Sequence, residues 1–175
     1  MQTSKRIKGL YISLIGVFIL SPDSLLIRLL NLNDLSLIFY RGILPAIATS
    51  LILLIYYKKN IIKAFILIGF AGLLYAFLYS IMHIAFAYSI QHTSVANTLV
   101  LIASAPIFTA ILSLILLKEN PSPITWLTIF FALISIIIIG WGSYTTQGFI
   151  GDIFALITGF SMAASAILVR YFKDK

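Results

Sequence analysis

The chain reads as apolar runs separated by short polar links. Six runs stand out: Gly9–Leu30, Leu35–Tyr57, Ala64–Ile90, Val95–Leu117, Ile124–Trp141 and Phe149–Val169. The links between them are Asn31–Asp34, Lys58–Lys63, Gln91–Ser94, Lys118–Pro123 and Gly142–Gly148. The runs are too long for strands and continuously apolar, so each predicts a helix buried in a non-aqueous medium. At about 1.5 Å rise per residue, Val95–Leu117 is roughly 35 Å long, enough to cross the hydrocarbon core of a bilayer. Links this short force neighbouring helices to run antiparallel. The expected fold is therefore all-α: a polytopic membrane protein of six transmembrane helices.

Val95–Leu117 organises the rest. It carries no charge, and Pro106 sits near its middle among Asn97, Thr98, Ser104, Thr109 and Ser113. A helix that is broken by proline and polar on part of its circumference is a poor lipid anchor and a good cavity wall. Ser122-Pro123 supplies an N-cap and a proline at the first helical position of the next run. Trp126, Trp141, Tyr56 and Tyr57 fall at run ends, where amphipathic rings favour the membrane interface.

Composition removes the soluble alternatives. Hydrophobic residues make up 61% and charged ones 10%, against about 45–50% and 25% in soluble domains. The formal net charge of +7 does not point to nucleic acid, because the basic residues cluster at run ends. Ten of the twelve Lys and Arg (Lys5, Arg6, Lys8, Lys58, Lys59, Lys63, Lys118, Arg170, Lys173 and Lys175) belong to one side. The links at 31–34, 91–94 and 142–148 contain none. The positive-inside rule then puts both termini in the cytoplasm of a cell whose inner membrane holds the chain. The basic N-terminus followed by Gly9–Leu20 imitates a signal peptide, but no small-x-small cleavage site follows, so a first membrane helix is the better reading. With no cysteine, disulfides and thiolate metal sites are excluded.

A weak internal repeat appears when the sixth run is shifted back by 142 positions. Gly151 then falls on Gly9, Leu156 on Leu14, Ile157 on Ile15, Phe160 on Phe18, Leu168 on Leu26 and Arg170 on Arg28. Five helices separate the copies, so they would cross the membrane in opposite senses, as in inverted-repeat transporters. Residues 1–147 would form one five-helix repeat, and 148–175 the first helix of a second.

Three short elements carry a resemblance. Phe39-Tyr40-Arg41-Gly42 opens the second helix with an aromatic-Arg element, and Ser104-Ala105-Pro106-Ile107-Phe108 matches a Ser-x-Pro-x-aliphatic/aromatic centre. Leu117-Lys118-Glu119 matches a helix ending in Glu, with Lys118 in place of glycine. In order and spacing over 1–147, these resemble the EamA-type family of the drug/metabolite transporter superfamily. The resemblance implies ten helices in two inverted repeats that move small metabolites by alternating access. Six runs are fewer than ten, so the expectation is a truncated carrier, or a half that a second chain completes; Lys173-Asp174-Lys175 reads as a cytoplasmic loop cut short, which favours truncation.

Candidate pathway residues follow. Asp23 and Arg41 lie at similar depth on either side of the first link, where a lone charge costs roughly 2.5–3.5 kcal/mol or more. They would form an intramembrane ion pair, either exchanging with solute or a proton, or holding the first two helices together. Arg28, nearer the end, snorkels to the headgroups. Tyr75, Tyr79 and His83 recur every four residues and share a face; they would wall a solute path or bond between helices. Gly72, Ala76 and Ser80 form a small-residue packing stripe beside them. Asn97 and Ser104 share a face, and Pro106 leaves the Ile102 carbonyl without its helix partner, either a solute contact or a plain kink.

Other chemistry is weakly supported. His83 and His92 sit half a turn apart and make no two-His metal site. Gly148-Phe-Ile-Gly151-Asp152 faintly resembles the Gly-x-Gly-Asp motif of intramembrane aspartyl proteases, with the wrong spacing and no matched second aspartate. No nucleophile elbow and no phosphate-binding glycine loop occurs. The sequence therefore predicts a secondary transporter of small metabolites or drugs, with no cofactor, no metal and no nucleic-acid partner. Its partners would be a small-molecule solute, the lipid bilayer and a proton or other coupling ion. A non-transporting helical membrane subunit is the alternative, with an intramembrane enzyme a distant third.

Overall fold

The computed structural model describes residues 2–30, 32–142 and 148–173, and no strand occurs among them. The link residues 143–147 and the side chains of Arg28 and Trp141 lie outside the described residues. Four described helices are long and apolar enough to cross a membrane: Asp34–Tyr57, Phe65–His92, Val95–Leu117 and Phe149–Lys173. Two shorter apolar helices, Gly9–Ile19 and Pro123–Ile138, accompany them.

The chain divides into two compact units, Met1–Leu32 and Asn33–Lys175. In the first, the run expected as one rod is two helices, α1 (Gln2–Leu20) and α2 (Asp23–Leu29). Ser21-Pro22 forms the turn between them. Proline has no amide hydrogen for the helix ladder and its ring crowds the preceding turn, so the helix stops there.

The second unit holds α3 (Asp34–Tyr57), a 3₁₀ turn (Lys58–Asn60) and α4 (Ile61–His92). These are followed by α5 (Val95–Ile102), α6 (Ala105–Leu112), a π-helical turn (Ser113–Leu117), α7 (Pro123–Gly142) and α8 (Phe149–Lys173). Asn33 caps α3, its side chain accepting from the Ser36 amide at 2.8 Å. Ser94 caps α5 by accepting from the Asn97 amide at 3.0 Å. Within α4, Gly69 takes φ 57° and ψ −156°, a left-handed conformation that a side chain would resist. The Ile68 side chain consequently fills the space where a Cβ of residue 72 would stand. Ala76 and Ser80 are exposed, so the expected packing stripe on this half of α4 is not the seam. The seam lies further along, at Ala85, Ala87, Ser89 and Ile90, all buried.

What α4 packs against is α8, which also contacts α5 and α6. Its buried residues (Gly151, Ala155, Thr158, Gly159, Ser161, Ala163, Ser165 and Ile167) cover more than one helical stripe, because neighbours flank it on two sides. They are nearly all small. Between membrane helices no hydrophobic force favours contact over lipid, so close backbone approach and interhelical hydrogen bonds hold the bundle. The hydroxyls are satisfied locally: Thr158 donates to the Phe154 carbonyl and Ser165 to the Ser161 carbonyl, each at 2.8 Å. Across helices, Ser89 and Thr98 share a hydrogen bond of 2.9 Å and are fully buried. Most large apolar side chains are exposed instead, including Leu67, Ile115 and Ile138, as expected of surfaces that face acyl chains.

Candidate functional site

The run around Pro106 is a broken helix. α5 ends at Ile102, Ala103 and Ser104 turn, and α6 restarts with Pro106 in its first turn. Pro106 offers no amide to Ile102, as the sequence expects, and α8 comes in at that point: a Cβ on Gly159 would lie 3.5 Å from the Ile102 carbonyl oxygen. The helix then loosens into the π turn and ends at Lys118, whose φ of 55° and ψ of 27° are left-handed. A left-handed helix end is where glycine fits best, and it is where the resemblance drawn from the sequence expects one.

Behind this wall lies a cavity of about 490 Å³, within the few-hundred-Å³ range of small-molecule sites. Its floor is Ala105, Pro106, Thr109, Ala110 and Ser113; α8 adds Met162, Ala163, Ala166 and Arg170, and α7 adds Thr125. Glu119, Asn120 and Pro121 close the rim. Thr109 donates its hydroxyl hydrogen to the Ala105 carbonyl at 2.9 Å, and Ser113 to Ala110 at 3.0 Å. Their oxygens therefore keep only acceptor capacity. One Arg170 guanidinium nitrogen donates to both Glu119 carboxylate oxygens, at 2.8 and 2.7 Å. Both side chains are about half exposed, 52% and 47%, which places the pair where the cavity meets the exterior. The site is mostly small and apolar, with one neutralised charge pair at its mouth.

At the opposite end of the bundle α8 packs tightly on α4. A Cβ on Gly151 would lie 2.7 Å from the His92 carbonyl carbon and from the Thr93 nitrogen, so α8 touches the end of α4 backbone to backbone. Thr93 donates to the Asp152 carboxylate at 2.7 Å.

The sequence-derived candidates are dispersed. Pro106 lines the cavity. Ser104 is buried behind it, donating to the Leu101 carbonyl at 2.6 Å. Asn97 is buried near the α4–α8 contact, its amide 3.5 Å from the Thr93 hydroxyl. Tyr75, Tyr79 and His83 form a ladder along α4, the two tyrosines stacked at 5.7 Å and Tyr79 meeting His83 at 4.4 Å. None of the three lines the cavity. Arg41 lies 5.2 Å above the Phe86 ring, a cation–π contact between α3 and α4. Asp23 belongs to the first unit and Arg41 to the second. Glu119 and Arg170, which the sequence offers only as a motif position and a topology marker, are the charged pair of the cavity. Their signal is that both stand at run ends on the basic side.

Against known proteins, the sequence model of the EamA-like transporter family matches residues 7–141. No curated protein and no solved structure matches the chain.

Proposed function

The chain belongs to the EamA-like transporter family, and on that premise we propose that it carries small metabolites or drugs across the cell's inner membrane by alternating access. The solute would occupy the cavity between α6, α7 and α8. The observation that carries this reading is the asymmetry of the bundle. One end opens through a cavity with a broken-helix wall and an Arg170–Glu119 pair at its mouth. At the other end α8 packs backbone to backbone on the end of α4, at Gly151. Alternating access requires one closed end and one open end at any moment. The positive-inside rule assigns the open end to the cytoplasm, together with both termini. Residues 1–147 are the first repeat and 148–175 begin the second; the match of Gly9 with Gly151 and its neighbours supports this. A second repeat, on this chain or another, would supply the rest of the pathway, and a proton or other ion would drive it.

Purified protein in liposomes, screened with labelled small solutes, tests the reading. Flux is expected for at least one solute class, and Ala166→Trp, which fills the cavity from its exposed rim, removes most of it. Flux unaffected by the tryptophan would move the pathway elsewhere. No flux for any class would favour a non-transporting helical subunit.

A further inference from the structure

The charged pair at the cavity mouth is made through a single nitrogen. Nη2 of Arg170 donates to both Glu119 carboxylate oxygens, at 2.8 and 2.7 Å. A guanidinium carries hydrogens on three nitrogens. Those on Nε and Nη1 make no hydrogen bond among the described residues. Arg170 lines the cavity and is about half exposed. Its charge is therefore held in place while part of its donor capacity stays unused.

Glu119 is in the reverse position. Both of its oxygens already accept from Arg170, so a cationic solute would have to displace the guanidinium. The surrounding charge disfavours a cation as well. Segments 117–121 and 169–175 carry four basic side chains and two acidic ones. Lys173 stands in the last turn of α8 with Arg170, and three residues apart on a helix they share a side. A rim with a positive balance draws anions and repels cations.

The floor sets the orientation. Thr109 and Ser113 have given their hydroxyl hydrogens to the Ala105 and Ala110 carbonyls, which leaves lone pairs only. Ala105, Pro106 and Ala110 add no side-chain donor, and Met162 and Ala163 add apolar surface. An anionic group seated there would lose its water and gain no donor from these side chains, a costly exchange. An apolar body fits instead.

We propose that the cavity takes small organic monoanions, with the carboxylate on Arg170 at the mouth and the apolar body inward, a substrate class that rests on the transport reading above. Arg170 is the solute contact, and Glu119 is the group that positions it. A second negative charge on the solute would fall on the floor, so dianions are disfavoured.

Protection of a thiol on the cavity wall tests this independently of flux. The natural chain has no cysteine, so Ala166→Cys places a single thiol on the cavity wall, one turn before Arg170. Its maleimide labelling is timed in lipid nanodiscs at about pH 7.5, where carboxylates are ionised. The probes are butyrate, benzoate and phenylacetate, each beside its neutral amide, with benzylammonium as the cation and phthalate as the dianion. At least one monocarboxylate should slow labelling saturably, whereas its amide, the cation and the dianion should not. Arg170→Gln should raise the concentration for half-protection by about tenfold or more, the loss expected for hydrogen bonds to a charged group. Glu119→Gln releases Nη2 as well and should lower that concentration, whereas a purely structural pair would make the two substitutions equally harmful. Absence of protection by every monocarboxylate, equal protection by the amide or the dianion, or a loss in Glu119→Gln as large as in Arg170→Gln would overturn the assignment. Flux of a neutral or cationic solute alongside any of those results would leave the transport reading standing. Protection by a monocarboxylate in a chain that moves no solute would support the anion site and count against transport.

Discussion

Gly151 of α8 rests directly on the peptide that enters Thr93, so closely that a Cβ at residue 151 would stand 2.7 Å from the Thr93 nitrogen. Backbone cannot give way as a flexible side chain can. Gly151→Ala is therefore expected to destabilise the bundle by about 1–3 kcal/mol, the usual cost of overpacking. At Gly159 the nearest atom would be 3.5 Å from the added Cβ, an ordinary contact. Gly159→Ala should be neutral or stabilising by up to about 1 kcal/mol, since alanine is the better helix former. Thermal unfolding of the two variants in detergent gives opposite signs if α8 packs as described.

The buried Ser89–Thr98 pair joins α4 to α5. Hydrogen bonds between membrane helices average roughly 0.6 kcal/mol in double-mutant cycles, because the unfolded chain in the membrane also finds partners. A cycle of Ser89→Ala and Thr98→Val should return a coupling of about that size, read from unfolding in mixed micelles. A coupling indistinguishable from zero would mean the two hydroxyls do not meet.

Lys118 ends the π turn in a left-handed conformation. A side chain there costs roughly 1–2 kcal/mol relative to right-handed geometry, and glycine avoids this. Lys118→Gly is expected to raise stability by about 0.5–1 kcal/mol, measured by equilibrium unfolding, with the cavity rim unchanged.

The Arg170–Glu119 pair is too exposed to contribute much stability, at most about 1 kcal/mol after solvent screening. Its expected role is positional, holding α8 to the segment that follows the π turn at the cavity mouth. Glu119→Arg and Arg170→Glu should each reduce solute flux sharply while shifting the unfolding temperature little. The double reversal should recover most of the flux. Failure of the double variant to recover would mean that the two charges act separately on the solute.

Much of this architecture was legible in the sequence for a simple reason: lipid demands long apolar runs, and breaks in them need proline, glycine or a polar link. The links near Asp34, Lys58, Ser94 and Pro123 and the interruption at Pro106 follow from that. The split at Pro22 follows from the same physics, although the run Gly9–Leu30 is apolar enough to mask it. Gly69 could not be foreseen, because a glycine within an apolar run carries no mark of its φ. The central place of α8 was also hidden. Its small residues permit close packing, but periodicity does not name the partner helix. The cavity's charged pair was obscured because Arg170 reads as a topology marker and Glu119 as the end of a motif.

The central claim is that the space behind Pro106 is a solute cavity reached from the end with the basic links. Site-directed labelling tests it most directly, because the chain is free of native cysteine. Ala166→Cys, on the cavity wall, should react with a membrane-impermeant maleimide applied from the cytoplasmic face of inside-out vesicles. Ile115→Cys, exposed on the lipid-facing side of the π turn, should not. Protection of residue 166 from that face, or equal labelling of both positions, would contradict the account.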